Sequence, residues 1–270
     1  MCSTCGCGID ENGPVILKPG EFVKTEGIPI VQDHHNHEHV HAHEHTNNHD
    51  HSHGEKTILE VEQEILGQND LLAQRNRGFF EAKKITAINL VSSPGSGKTT
   101  LLETTLDDLK DKVTFSVIEG DQQTMNDADR IDALNIPVVQ VNTGKGCHLD
   151  SDMVHGAFSK LDLPDHSVLM IENVGNLVCP AMFDLGENFR VVIISTTEGD
   201  DKPIKYPDMF EHSHVCLINK IDLLPYVNFD VEKAKDYARR INPNLVFFEV
   251  SATTGQGMDA WYHWLEKNKV

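Results

Sequence analysis

Basic residues are scarce in this chain: 23 Lys and Arg stand against 42 Asp and Glu, a formal net charge of -19. That balance repels phosphate backbones and anionic lipid, so neither nucleic acid nor a membrane surface is an expected partner. Long apolar runs are also missing. No stretch approaches the roughly 18 apolar residues of a membrane span, and no basic segment leads into an apolar run at the start, so the expected location is the cytoplasm. Cysteine is sparse and uneven: Cys2, Cys5 and Cys7 crowd the start, while Cys147, Cys179 and Cys216 stand far apart. This is ligand spacing in a reducing compartment, not a disulfide framework. Large apolar side chains are few in the first fifth of the chain, which places the folded part behind a polar tail.

Histidine is what that tail has in abundance. His34, His35, His37, His39, His41, His43, His45, His49, His51 and His53 are interleaved with Glu, Asp and Asn. Such a tract offers many imidazoles and no packed core, which suits weak, high-capacity storage of nickel, zinc or copper. Residues 1–54 read as a flexible Cys/His-rich metal-binding region, with the apolar patch Val15 to Leu17 too small for a core. Over residues 55–84, Leu59, Ile65, Leu66, Leu72 and Ala73 recur near helical spacing and predict an amphipathic lead-in helix, with Gly67 and Gly78 as the places where it could break.

From 85 to 270 the pattern is regular. Apolar, β-branched runs at Ile85 to Val91, Val113 to Ile118, Val138 to Val141, Val168 to Ile171, Val191 to Ile194, Val215 to Ile218 and Leu245 to Val250 predict about seven strands. Helix-length segments separate most of them, so the expected fold is α/β, a mainly parallel sheet flanked by helices.

The first run ends in Ser92-Ser-Pro-Gly95-Ser96-Gly97-Lys98-Thr99-Thr100 and passes directly into a helical pattern. This is a phosphate-binding loop: glycines let backbone N–H groups turn inward around a phosphate, the helix presents its positive end, and Lys98 adds a full charge. Thr99 supplies a hydroxyl for Mg²⁺. Ser92 stands where the usual pattern begins with Gly.

Asn219-Lys220-Ile221-Asp222 follows the sixth run, where the Asp222 carboxylate can accept both N–H donors of guanine. Adenine presents the wrong pattern. Leaving that carboxylate unpaired costs roughly 1 to 3 kcal/mol per lost hydrogen bond, so two losses give roughly 30-fold discrimination or more. Ser251 and Ala252, at the end of the seventh run, resemble the loop with which GTPases support the base. Asp121 and Glu172, each following a strand, are candidates for Mg²⁺ and hydrolysis, Glu172-x-x-Gly175 standing where many GTPases have Asp-x-x-Gly. No water-orienting Gln or arginine finger is assignable, which predicts slow turnover.

Three thiols at Cys2, Cys5 and Cys7 are close enough to share one metal, with spacing that leaves nickel and zinc both open. Cys147-His148 lies in a Gly-rich stretch and Cys179 shortly after Gly175. For each of these two cysteines the spacing leaves a ligand and a small core residue open, whereas Cys216 inside its apolar run reads as core.

Together, Cys2-Ser-Thr-Cys5-Gly-Cys7, the histidine tract, the loop ending Lys98-Thr99-Thr100, Glu172-Asn-Val-Gly-Asn-Leu-Val-Cys179-Pro and Asn219-Lys-Ile-Asp222 closely resemble the HypB family of hydrogenase nickel-incorporation GTPases, over nearly the whole chain. The resemblance implies a P-loop fold and a GTP-promoted homodimer with Cys147, His148 and Cys179 holding nickel or zinc at the subunit interface. It implies a separate site at the N-terminal cysteines, a HypA metallochaperone as partner, and delivery of nickel to the immature large subunit of a [NiFe] hydrogenase. A urease accessory GTPase, which generally lacks the cysteine arm, is the nearest alternative. A nickel buffer that no longer cycles nucleotide, or a signalling or translation GTPase, would be a different class.

Overall fold

The structure is a computed structural model that describes residues 14–21, 58–121 and 126–270. Along these run β1 (Val15–Leu17), α1 (Ile58–Lys83), β2 (Thr86–Ser92), α2 (Lys98–Leu109), β3 (Phe115–Asp121), α3 (Asn126–Asp132), β4 (Val138–Asn142), α4 (Ser151–Lys160) and β5 (Val168–Glu172). They are followed by α5 (Cys179–Met182), β6 (Phe189–Ser195), α6 (Lys202–Lys205), α7 (Pro207–Glu211), β7 (Val215–Asn219), a 3-10 turn over Ile221–Tyr226, α8 (Val231–Ile241), β8 (Val246–Glu249) and α9 (Met258–Asn268).

All seven apolar runs are strands, and their order is β4-β3-β5-β2-β6-β7-β8, parallel throughout. Strands buried on both faces need continuous apolar runs, and β2, β5 and β7 are buried at every residue. An eighth strand was not expected. Val15–Leu17 pairs antiparallel with β4, Val15 opposite Asn142, and so caps the sheet edge. Three residues are too few to stand out in a sequence. Their pairing is fixed by Lys160, whose Nζ donates to the Ile16 carbonyl at 2.5 Å.

Three apolar clusters fill the two sides of the sheet. One packs α2 and α9 together, with fully buried Trp261 donating from Nε1 to Thr105 Oγ1 at 3.0 Å. Another joins Phe80 of α1 to α4 and the inner faces of β3, β4 and β5.

α1 passes unbroken through Gly67 and Gly78, but its docking face differs from the expected stripe. Leu59 and Ile65 are exposed, whereas Asn69, Ala73, Asn76 and Phe80 are buried. The reason is polar. Asn69 Nδ2 donates to the Asp184 carbonyl at 2.8 Å and Asn76 Nδ2 to the Ser151 carbonyl at 2.8 Å, so buried amides satisfy backbone groups that apolar side chains would leave unpaired. Among the described residues no helix is long and apolar enough to cross a membrane.

Candidate nucleotide and metal site

β2 is the switch point of the sheet, with β5 on one side and β6 on the other, and ligands of open α/β sheets bind beyond the strand ends at such a point. The loop from Ser92 to Lys98 leaves there and lines a cavity of about 420 Å³ with Glu119, Asp121, Asp127, Arg130, Glu172 and Gly175. Ser92 is still within β2 and buried, and only Gly95 (φ 78°) and Gly97 (φ 88°) take the left-handed conformation. Ser therefore fits the first position without strain. At Gly97 a Cβ would stand 2.7 Å from Asn219 Nδ2, so this position admits glycine alone.

Lys98 opens α2 with its ammonium buried. Its Nζ lies 2.5 Å from Glu172 Oε1, and Thr99 Oγ1 donates to the same oxygen at 2.7 Å. Thr99 Oγ1 also reaches Asp127 Oδ2 at 3.4 Å. Asp121 ends β3 at the mouth of the same cavity. Glu119, fully buried in β3, is held well above the usual carboxylate range, first by burial and then by the Glu172 charge beside it. Asp127 is raised by the same two causes. A wall this rich in hard oxygen donors and short of positive charge fits a divalent cation as well as phosphate. Glu119, Asp127 and Arg130 had escaped the sequence reading. The one usable signal for Glu119 is its place directly after the apolar run Val113 to Ile118, whereas nothing in the sequence marks the other two.

The base end is wired to the phosphate end. Asn219 Nδ2 donates to the Ser96 carbonyl at 3.0 Å, and its Oδ1 accepts the amides of Lys220 at 2.8 Å and Ala252 at 3.2 Å. Lys220 Nζ donates to the Gly95 carbonyl at 2.7 Å. Ser251 is fully buried and accepts the Thr254 amide at Oγ, 3.2 Å away, which shapes the turn after β8. Asp222 Oδ1 is buried and finds no hydrogen-bond donor among the described residues. An orphaned acceptor of that kind fits the N–H edge of guanine.

A second constellation sits on the loops after β4 and β5. The ligand atoms of Cys147, His148 and Cys179 all lie within 4.8 Å of one another, the one such cluster among the described residues. Cys147 Sγ is 3.7 Å from His148 Nδ1. The imidazole stacks on Phe183 with ring centroids 3.9 Å apart, and burial pulls its pKa down, which keeps a lone pair free for a metal at neutral pH. Two thiols and a neutral imidazole suit nickel, zinc or copper and not a hard cation. Cys216, by contrast, is fully buried in β7, and burial pushes its thiol up, as a core residue requires. Cys2, Cys5, Cys7 and the histidines from His34 to His53 lie outside the described residues.

The two sites share backbone. Cys179, in the thiol and imidazole cluster, stands seven positions after Glu172, at the phosphate end. Gly175 abuts the phosphate loop midway, where an added Cβ would lie 3.3 Å from Pro94 Cα. Asn173, fully buried, accepts the Leu149 amide at Oδ1, 3.1 Å away, and so ties this segment to the loop that carries His148. The other side of that loop is held by Thr143, whose amide donates to the Asp121 carbonyl at 2.9 Å.

Residues 86–249 match the family model "CobW/HypB/UreG, nucleotide-binding domain". The hydrogenase maturation factor HypB of Escherichia coli K12 is 49% identical over 288 aligned positions, covering 100% of this chain and 99% of the relative. The crystal structure of HypB from Helicobacter pylori in complex with nickel superposes with a TM-score of 0.72 at 38% identity, over 75% of this chain and 95% of that one. HypB from Archaeoglobus fulgidus gives a TM-score of 0.70 at 39% identity, over 74% and 98%. A phosphate loop joined through a single segment to a thiol and imidazole cluster, in a chain this similar along its whole length, belongs to the HypB hydrogenase maturation factors of the CobW/HypB/UreG nucleotide-binding family.

Proposed function

We propose that this protein is a cytoplasmic, GTP-hydrolysing nickel metallochaperone that stores nickel and delivers it to the large subunit of a [NiFe] hydrogenase during maturation. The observation that carries the reading is the segment Glu172 to Cys179, which begins beside Lys98 in the phosphate loop and ends in the thiol and imidazole cluster. The nickel named with the Helicobacter pylori relative supports nickel as the cargo.

In this reading Gly95, Ser96, Gly97, Lys98, Thr99 and Thr100 cradle the phosphates. Asp222 reads guanine, while Asn219, Lys220, Ser251 and Ala252 hold its loop in place. Thr99, Asp121 and Glu172 would hold Mg²⁺, which when bound neutralises charge on the transferring phosphoryl group. A triphosphate competes with Glu172 for the Lys98 ammonium. Release of Glu172 then frees the segment that follows it, and the spacing of Cys147, His148 and Cys179 responds.

These three donors leave a coordination position open, and Val178 and Met182, both exposed and apolar, flank the cluster. A GTP-dependent homodimer would bury these side chains and complete the site for nickel, or for zinc at rest. With no water-orienting Gln assignable from a sequence motif, turnover is expected to be slow, and hydrolysis acts as a switch. The thiols of Cys2, Cys5 and Cys7 form a separate site, the histidine tract a store, and a HypA-type metallochaperone the partner in transfer.

The test is a nickel-binding isotherm with and without a non-hydrolysable GTP analogue, on a variant lacking residues 34–53. Nucleotide-dependent affinity or stoichiometry is the expected result. Coincident isotherms would leave a nickel buffer instead.

A further inference from the structure

The phosphate cavity holds a second cation that no sequence motif announces. Arg130, on α3, lines it together with Lys98, Thr99 and Glu172, and these two are the Lys and Arg side chains among its described lining residues. The guanidinium is parked on the rim by two acids. It donates a short hydrogen bond to Glu103 of α2 and lies 3.5 Å from Asp127 Oδ1, whose other oxygen faces Thr99 Oγ1. The Arg130 side chain is 42% exposed and that of Glu103 31%. Ion pairs this wet contribute little, so a stronger anion can readily draw the arginine away. A bound triphosphate is such an anion, and it enters a wall that also carries Glu119, Asp121, Asp127 and Glu172.

We propose that Arg130 leaves Glu103 when GTP fills the cavity and donates to the terminal phosphate, supplying from within the chain the charge that other GTPases take from an arginine finger. The inference rests on the GTPase reading above. No covalent bond to the arginine forms or breaks. Water attacks the γ-phosphorus, the bond to the β–γ bridging oxygen breaks, GDP and phosphate leave, and a proton passes to solvent. The guanidinium meets the oxygens on which charge gathers. Glu103 is then a brake, since it competes for the same group in the resting state.

The experiment compares full-length wild type with Arg130→Ala, Arg130→Lys and Glu103→Gln. Three quantities are measured: single-turnover GTP hydrolysis, affinity for GDP with and without aluminium fluoride as a mimic of the transferring phosphoryl group, and melting temperature. Arg130→Ala is expected to slow hydrolysis about tenfold or more and to abolish the gain in affinity from aluminium fluoride, with GDP affinity within about twofold of wild type. Glu103→Gln is expected to speed hydrolysis. Should Arg130→Ala not fold, Arg130→Lys, expected to slow hydrolysis, and Glu103→Gln, expected to speed it, decide the matter.

The proposal is overturned if the arginine variants keep the wild-type rate and the aluminium fluoride response. It is overturned equally if Glu103→Gln slows hydrolysis as much as the loss of the arginine does, for the pair would then be a strut between α2 and α3. Wild-type protein that binds no GTP or never hydrolyses it would bring down the GTPase reading as well.

Discussion

Asn173 and Leu149 belong to different loops, yet the side-chain oxygen of one accepts the amide of the other at 3.1 Å inside a fully buried environment. The same oxygen accepts the Val174 amide at 3.0 Å, and Asn173 Nδ2 lies 3.3 Å from Asn89 Oδ1 in β2. One residue therefore meets the strand under the phosphate loop, the segment that abuts it, and the neighbour of His148.

Asn173→Ala should uncouple the sites. It leaves the Leu149 amide buried and unpaired, at a cost of about 1 to 3 kcal/mol in stability. Nickel isotherms of the variant should coincide with and without a non-hydrolysable GTP analogue. A variant that still responds to nucleotide would move the coupling elsewhere.

Asp222→Asn replaces an acceptor by a donor at the orphaned oxygen. GTP affinity should fall roughly 30-fold or more, and a xanthine nucleotide, which offers an acceptor where guanine offers a donor, should bind better than GTP. Competition with a fluorescent guanine nucleotide measures both. Unchanged GTP affinity would place the base outside this loop.

Cys147→Ala and Cys179→Ala each remove one of three donors. Residues that merely orient ligands already contribute 10 to 100-fold to metal affinity, so loss of a ligand should weaken nickel binding by the nucleotide domain at least about tenfold. GTP binding in the absence of metal should be preserved. The readout is nickel titration of protein lacking residues 34–53, with Cys2, Cys5 and Cys7 replaced by Ser.

Glu119 gives a pH prediction. Its folded pKa lies above its unfolded value, so between the two the folded state holds more protons and stability falls as pH rises. Below the unfolded value the effect vanishes. Glu119→Gln, a neutral isostere, should raise the melting temperature at neutral and alkaline pH and flatten its decline from the acid side. Melting curves of nucleotide-free protein that run parallel to wild type would contradict this.

Much of this was readable beforehand because β-branched runs, glycines at fixed offsets and an Asn-Lys-x-Asp at a strand end each have one dominant physical cause. The seven parallel strands and the two ends of the candidate nucleotide site follow from them. What escaped was decided by tertiary contact. β1 is three residues long and exists through β4 and Lys160. α1 docks through asparagines that look like surface in a sequence. The run ending at Ile118 continues as strand to Asp121, because Glu119 and Gly120 pair within the sheet. Cys147 and Cys179 are 32 positions apart, and only the parallel packing of their strands, with β3 between, sets their sulfurs beside one imidazole.

The three hydrogen bonds of the Asn219 side chain fasten the phosphate loop, the Asn-Lys-x-Asp loop and the turn after β8 into one jaw. Glu172, at the end of β5, and Asn173, just after it, belong to the opposite jaw. Under the proposed function, the base and the number of its phosphates would be read by separate bodies: the first by fit against a fixed surface, the second by displacement. A misread base would fail to seat at all, whereas a spent nucleotide would stay seated and report its loss of a phosphate only toward the metal.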